Sequence, residues 1–194
     1  MTAPQGNRPA PRTPAELAGV AKLGDGAMGL LAPELSHRAF VQKMIEAEQH
    51  VDAVRYIAFA LPRREGVWWA WVTAKRAAGA EPEKKIRESL DATEKWIAQP
   101  TDPNRRVAFE KAEAAEIGTP AGCAGAAAFF AGESMAPPNL QAVPPGEWDT
   151  AKAIAGSVMM AVVEKEPEKA KEKFVVAIQQ GLGVIGKIKL WPDA

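Results

Sequence analysis

Apolar residues recur along this chain at intervals of three and four, which is the spacing of one face of an α-helix. One such stripe consists of Ile86, Leu90, Thr93 and Ile97. Charged residues fill most positions between its members, so the spacing predicts an amphipathic helix. Two further stripes of this kind are Trp148, Ala151, Ala155, Val158 and Val162, and Phe174, Ile178, Leu182 and Ile185.

A polar or acidic residue followed by proline recurs just before these helical patterns. Proline is tolerated at the first helical position because its missing N–H would be unpaired there in any case. Thr or Asp ahead of the proline caps the free N–H groups, and the charge of Glu suits the positive end of the helix dipole. Five helix starts are predicted in this way: Thr13-Pro14, Glu81-Pro82, Asp102-Pro103, Thr119-Pro120 and Glu166-Pro167.

These patterns predict an all-α fold without a sheet, because no run of residues alternates with period two. We expect a single-domain array or bundle of eight to nine helices over residues 13–194. Residues 1–12 are expected to be a disordered tail. The Pro-rich residues 133–146 are expected to form a long loop that either packs across the helices or separates a final helical hairpin. The helices are predicted near residues 14–23, 35–47, 50–61, 64–78, 82–98, 103–117, 120–132, 147–163 and 167–188.

Composition and charge narrow the function mainly by exclusion. Lys plus Arg and Asp plus Glu each number 24, and this zero net charge argues against a nucleic-acid-binding protein. The chain contains no uncharged apolar run long enough to predict a membrane span. Residues 1–12 lack the apolar stretch of a secretory signal. Because Cys123 is the only cysteine, no disulfide within the chain is possible, and a cytoplasmic location is expected.

Residues 181–186 spell GxGxxG, and Lys187 completes GxxxxGK, both of which are phosphate-binding patterns. The dinucleotide-binding form needs a strand before the glycines and a helix after them, whereas here a helical pattern precedes them. The P-loop form needs Ser or Thr after the lysine, and Ile188 stands there. We therefore expect a frayed helix end with glycine caps, and no nucleotide or other cofactor.

His37 and His50 are the only histidines, and their spacing places them on different faces of an ideal helix. Glu46 and His50 lie one helical turn apart and would supply half of a metal or catalytic site. Such a site would still lack a second histidine and a partner helix with ligands. The preferred interpretation is a solvated helix end without a bound metal, and an enzyme that uses Glu46 and His50 is kept as an alternative.

Cys123 lies among small residues, in the sequence AGCAGA of residues 121–126. A catalytic thiol needs a basic neighbour and partial exposure, and no His or Lys is near it in the sequence. Small residues at this density favour a close helix crossing. We therefore expect the Cys123 thiol to be buried.

The segment of residues 61–71 contains three of the six tryptophans, Trp68, Trp69 and Trp71, together with Arg63 and Arg64. Successive residues of a helix rotate by about 100°, so the three indoles cannot share one face. The preferred interpretation is that two of them anchor the core and one covers a neighbouring helix. Trp and Arg are also enriched in binding hot spots, which makes all five residues partner-binding candidates. Under that hypothesis, Trp69 or Arg64 is expected to be partly exposed.

A set of short motifs extends over roughly residues 50–180. They are Leu61-Pro62-x-Arg64-Glu65-x-Val67-Trp68-Trp69-Ala70, Pro100-Thr101-x-x-Asn104-Arg105-Arg106-x-Ala108, Thr119-Pro120-Ala121-Gly122, the Phe129 region, Met135-Ala136-Pro137-Pro138 and Val143-Pro144-Pro145. In this combination the chain resembles a bacterial all-helical family of unknown function whose members lie near type VI secretion genes. The resemblance implies an accessory role in secretion and supplies no catalytic residues. The first fifty residues match less clearly.

The sequence thus leads to the hypothesis of a non-enzymatic adaptor or chaperone-like accessory protein with a protein partner. The link to type VI secretion comes only from the resemblance. An immunity-type protein that binds and blocks a toxin is one alternative, although such proteins often carry a strong charge and this chain has none overall. The enzyme with Glu46 and His50 is the other alternative.

Overall fold

The computed structural model describes residues 13–191, in which ten α-helices and one 3₁₀ turn form the regular structure. No strand occurs among the described residues, so the predicted all-α fold is confirmed. The tail predicted for residues 1–12 lies outside this range. The helices are α1 Pro14–Val20, α2 Asp25–Met28, α3 His37–Glu46, α4 His50–Ala60, α5 Arg63–Ala78, α6 Lys84–Ala98, α7 Asp102–Ala114, α8 Pro120–Phe130, α9 Asp149–Val163 and α10 Ala170–Lys187, with the 3₁₀ turn at Pro167–Lys169.

The ten α-helices in this range are one more than the nine predicted at most, and the additional one is the short helix α2. This helix is a single turn of four residues, and Ala27 is its one buried residue. Its N-cap is Gly24, which has no side chain to cap it. A segment this short has neither an apolar stripe nor a cap, so its sequence carries no helical pattern.

The starts predicted at Thr13-Pro14 and Thr119-Pro120 are confirmed, because the hydroxyls of both threonines accept a backbone N–H in the first turns of α1 and α8. The start predicted at Asp102-Pro103 is one residue late, since Thr101 caps α7 and Asp102 is its first residue. The two Glu-Pro predictions are wrong in detail. Helix α6 begins at Lys84, two residues beyond the predicted proline, and Pro167 opens only the 3₁₀ turn before α10. Neither start has a side-chain cap, because no glutamate there accepts a first-turn N–H.

The helices pack in successive layers from α7 at one side to α1 at the other. Helices α6 and α7 cover α8, which packs against α5 and α9 in the centre. Helix α5 contacts α6, α8, α9 and α10, while α4 lies on α9 and α10 and is covered by α1 and α3. One continuous hydrophobic core includes residues from Leu17 to Trp191.

Residues 133–146 do not separate a final hairpin from the rest of the fold. Helix α9, which follows this segment, packs closely on α5 and α8, which precede it. The loop itself does not lie across the helices along its length, because residues 137–144 are exposed.

The glycines of α8 allow a close crossing with α7, as the sequence predicts. A Cβ atom on Gly125 would lie 2.8 Å from the Cβ of Ala112 and 2.9 Å from the carbonyl oxygen of Ala108. A Cβ atom on Gly122 would lie 2.2 Å from the carbonyl oxygen of Glu116. Since backbone atoms cannot move aside cheaply, both positions require glycine.

The expectation of a frayed end with glycine caps at residues 181–186 is wrong, because these residues lie inside α10. A Cβ atom on Gly181 would lie 2.9 Å from Cγ2 of Ile57 and 3.0 Å from Cε2 of Trp69. Gly181 therefore permits the close approach of α10 to the core rather than ending a helix. The positive φ angle that follows this helix belongs to Lys189.

Across residues 13–191, no helix combines the length and the apolar character that crossing a membrane requires.

We expect the thiol of Cys123 to resist modification in the folded protein. Its Sγ donates a hydrogen bond to the carbonyl oxygen of Ala153 (3.2 Å), and burial raises the pKa of the thiol to about 11. At pH 8 only about one thiol in a thousand would be ionised, and the thiolate is the reactive form. The measurement is the rate of reaction with a disulfide reagent at pH 8, with the protein unfolded in guanidinium as control. Cys123 is partly rather than fully buried, and folded protein that reacts as fast as the unfolded control would contradict this protection.

Candidate functional site

The tryptophan segment is mainly a core element. Trp69 is fully buried, and its Nε1 donates to the carbonyl oxygen of Ala177 in α10 at 3.0 Å. Trp71 is nearly buried and donates to the carbonyl oxygen of Leu90 in α6 at 2.9 Å. Trp68 is half-buried beside a smaller apolar cluster. The prediction of two core anchors and one covering residue is confirmed. Of the two residues of which one was expected to be partly exposed, Trp69 is buried and Arg64 is exposed.

Arg63 and Arg64 are exposed, but both guanidinium groups bind backbone carbonyls. Arg63 donates to Ala131 at 3.2 Å, and Arg64 donates to Ile97 at 2.7 Å. These acceptors lie at the C-terminal ends of α8 and α6, where carbonyl groups have no partner within the helix. The two arginines therefore join the start of α5 to two helix ends.

A third arginine, Arg105 of α7, is buried with 4% of its surface exposed. It donates to the carbonyl oxygens of Phe129 (3.2 Å) and Ser134 (2.6 Å), forms an ion pair with Asp102, and lies 5.0 Å from the ring centre of Phe129. A Cβ atom on Gly132 would lie 2.2 Å from its Nε. The end of α8 thus bends around this guanidinium, and glycine is required where the two meet.

Arg106 binds the main chain of the loop two residues further on than Arg105 does. Its Nε donates to Asp102 Oδ2 at 2.7 Å, and its Nη2 donates to the carbonyl oxygen of Ala136 at 2.6 Å. The hydrogen bond from Arg106 and the positive charge of Arg105 lower the pKa of the Asp102 carboxyl. The carboxylate in turn fixes both guanidinium groups in the orientation that the loop carbonyls need.

The segment held by these arginines closes on itself. The N–H of Met135 donates to the carbonyl oxygen of Val143 at 2.7 Å. The Ser134 hydroxyl oxygen accepts the N–H groups of Ala136 and Val143, at 3.1 and 3.0 Å. Both ends of the loop are therefore fixed to each other as well as to α7.

The tip of this loop exposes apolar side chains to solvent. Leu140 is 61% exposed and Val143 is 49% exposed. All thirteen residues from 134 to 146 are uncharged, in a chain of which a quarter of the residues are charged. Residues 137–144 are all exposed, and we call five of the apolar ones the loop patch: Pro137, Pro138, Leu140, Val143 and Pro144.

Glu46 and His50 do not form the site that was considered as an alternative. The helix breaks between them at Glu48, whose φ is 58°, so the two residues belong to α3 and α4. Glu46 is exposed and accepts a hydrogen bond from Gln42, whereas His50 is buried and stacked on Phe174. Among residues 13–191, no group of three or more His, Cys, Asp or Glu side chains is placed to hold a metal ion.

Two surface clefts of moderate size carry no evident catalytic group. One, of about 410 Å³, lies between α3 and α10 and is lined by Ser36, Arg38, Ala39, Gln42, Gln179 and Leu182. The other, of about 260 Å³, has an apolar floor and is edged by Glu81, Glu83, Glu164 and Lys165. Neither lining contains a histidine, a cysteine or a serine–base pair of the kind that nucleophilic catalysis uses.

A family model matches residues 40–185, three quarters of the chain and nearly all the helices described above. The chain belongs to the family of unknown function DUF6931. This agrees with the resemblance to a family of unknown function seen over residues 50–180, and the match begins ten residues earlier. No curated protein and no solved structure matches the chain.

Most of the motifs in this DUF6931 chain meet at one end of the bundle. Arg63 links residues 61–70 to Ala131 at the end of α8, and Arg105 and Arg106 link residues 100–108 to Phe129, Ser134 and Ala136. The motif at 143–145 joins this end through the hydrogen bonds of Val143 with Ser134 and Met135. Residues 119–122 stand apart, at the other end of α8. Leu140 and Val143 were not among the residues predicted from the sequence to bind a partner, although the uncharged run around them is visible in the sequence.

Replacing Trp69 should cost this DUF6931 protein much more stability than replacing Trp68. Trp69→Ala removes a fully buried indole and its hydrogen bond to Ala177, and such changes cost about 3–5 kcal/mol. Trp68→Ala removes a half-buried side chain and should cost clearly less. Denaturant unfolding of both variants measures the difference. Equal losses would contradict the burial described here.

Removing the Arg105 guanidinium should loosen the loop and lower global stability. Arg105→Met leaves the carbonyls of Phe129 and Ser134 without their donor, and hydrogen bonds to charged groups contribute about 1.5–3 kcal/mol each. Arg87→Met is the control, since Arg87 is exposed and makes one bond, to Pro82. The measurements are denaturant unfolding and hydrogen exchange at the Met135 amide. Unchanged exchange in Arg105→Met would show that the guanidinium does not hold the loop.

Proposed function

We propose that this chain is a non-enzymatic protein-binding module, an adaptor or chaperone-like accessory protein, that contacts its partner through the loop patch. The observation that carries the proposal is an exposed, uncharged loop whose base is fixed by Arg105 and Arg106. Aliphatic side chains gathered at a loop tip are a feature of interaction sites rather than of ordinary protein surface.

The anchoring of the loop supports binding for an energetic reason. Ordering a mobile loop upon association costs free energy that a loop already held in place does not need to spend. Here the backbone of Ser134, Ala136 and Val143 is fixed by side-chain hydrogen bonds, while Leu140 and Val143 remain exposed. The base of the loop is therefore held in place beneath the exposed residues.

The proposal also includes a more specific statement about the biological setting. A bacterial origin and a role beside a type VI secretion apparatus are supported by the motif resemblance, and a cytoplasmic location by the single cysteine. The partner would then be a component or a cargo of that apparatus. A toxin-blocking immunity protein is less well supported, because the loop patch has no charge with which to complement a charged active site.

The test is capture of partners from native lysate with immobilised full-length protein. Leu140→Asp places a charge in the loop patch and should reduce recovery of a specific partner at least about tenfold, which corresponds to about 1.4 kcal/mol. Val176→Asp is the control, since Val176 is 52% exposed on α10. Thermal melts establish that both variants fold.

Two results would count against this assignment. A partner recovered equally by the wild type and by Leu140→Asp would place the binding surface elsewhere. A partner lost by Val176→Asp but kept by Leu140→Asp would place the binding surface on α10.

A further inference from the structure

The smaller of the two surface clefts, of about 260 Å³, lies where four helices end or begin. It is bordered by the end of α5, the start of α6, the start of α8 and the end of α9. Residues 119–122, which stand apart from the loop, border it with Pro120 and Ala121. We call it the acidic cleft, after Glu81, Glu83 and Glu164 at its edge. The loop patch follows the opposite end of α8, so the acidic cleft is a second surface.

The floor of the acidic cleft is apolar and fixed in position. It consists of Ala74, Ala78, Ile86, Pro120 and Ala121. The buried hydroxyl of Ser157 donates to the carbonyl oxygen of Pro120 at 2.8 Å, and the buried hydroxyl of Ser89 donates to that of Ala121 at 3.2 Å. A side chain that packs on this floor therefore does not have to order the backbone beneath it, and that ordering would otherwise weaken binding.

Carboxylates outnumber cations among the described residues that line the acidic cleft. Glu81, Glu83 and Glu164 are exposed, and within residues 13–191 none of them has an ion-pair partner. Lys165 is the cation of this lining, and its Nζ donates to the last two carbonyl groups of α5, at 2.8 and 3.3 Å. Two helix C-termini and two helix N-termini border the cleft, so their dipoles largely offset each other. The three carboxylates therefore decide the sign of the charge.

The cations in the segments beside the cleft are bound to other groups. Lys84 binds Glu88, Lys85 binds Glu116, Arg87 binds the carbonyl oxygen of Pro82, and Lys169 and Lys173 bind Glu166. Glu83 interacts electrostatically with Lys85, but the hydrogen bond of that ammonium goes to Glu116 at 2.7 Å. Arg76 lies two residues from both Ala74 and Ala78, which places it on the opposite side of α5. The negative charge of the cleft is therefore left for a ligand.

A long basic side chain is the ligand that fits both features. The aliphatic stem of lysine or arginine packs on apolar surface while its charged end reaches polar groups. The volume of about 260 Å³ lies below the roughly 300–1,000 Å³ of sites that enclose small molecules. The acidic cleft is therefore of a size for one side chain rather than for a cofactor.

We propose that the acidic cleft binds a lysine or arginine side chain of a protein partner. The stem of that side chain packs on the apolar floor, and its cation lies among the carboxylates of Glu81, Glu83 and Glu164. This inference goes beyond the proposed function, because the site lies at the opposite end of α8 from the loop patch and needs no residue of it.

The experiment is an NMR titration of isotope-labelled full-length protein with the peptide acetyl-Gly-Lys-Gly-amide. We expect the largest shifts at the amides of Ala78, Ile86, Ala121 and Glu164, which line the cleft. Norleucine in place of lysine keeps the stem without the charge, and diaminobutyrate keeps the charge on a shorter stem. Each replacement should weaken binding at least about threefold, a change of about 0.7 kcal/mol. This comparison uses the wild-type protein, so it does not depend on the folding of a variant.

A pair of variants tests the carboxylates. Glu81→Gln combined with Glu164→Gln should raise the dissociation constant of the lysine peptide at least about tenfold, a change of about 1.4 kcal/mol. Glu34→Gln combined with Glu133→Gln is the matched control, because both residues are exposed and neither lines the cleft. It removes the same charge and should change the constant less than about twofold, or about 0.4 kcal/mol. Thermal melts establish that both double variants fold.

Three results would overturn the inference. The first is a norleucine peptide that binds as tightly as the lysine peptide, because the carboxylates would then have no part. The second is a cleft variant that weakens binding no more than the control does. The third is a set of shifts that lies outside the cleft lining. None of these bears on the loop patch, whose test is the capture of a partner with Leu140→Asp.

Discussion

The end of the bundle that carries the loop depends on one buried guanidinium. Taking the charge of Arg105 out of water is costly unless the group finds a counter-charge and fills its hydrogen bonds. Asp102 supplies the counter-charge, and the carbonyls of Phe129 and Ser134 supply the acceptors. Helix α7, the end of α8 and the loop each supply a partner of Arg105, and displacing any of them would leave the buried guanidinium short of one of these partners.

The centre of the bundle depends instead on a close approach between backbones. Gly181 brings α10 against Trp69 and Ile57, and the Trp69 indole donates to the Ala177 carbonyl of the same helix. Gly122 and Gly125 have the same role between α8 and α7. Small residues set how near the helices lie, and the large indole fills the space that remains, as dense packing requires.

Sequence reasoning succeeds here where the chemistry is local. The Thr13 and Thr119 caps were predictable because a hydroxyl and the N–H three residues later suffice. The burial of Trp69 rather than Trp68 was not predictable from the sequence, because it depends on which helices surround α5. The roles of Arg63 and Arg105 were hidden for another reason: their acceptors are backbone carbonyls 68 and 24 residues away, and a carbonyl has no signature in the sequence.

This use of carbonyl acceptors separates the frame of the loop from its exposed tip. Arg105 and Arg106 bind the main chain at Ser134 and Ala136, and every residue type has a carbonyl oxygen to offer there. The arginines therefore fix the path of the loop without restricting the side chains at its tip. Residues 139–142 are exposed, and none of their side chains forms a hydrogen bond in the described structure. These side chains can therefore be replaced without loss of the hydrogen bonds that fix the frame. Under the proposed function, the loop could gain a new specificity without a new fold.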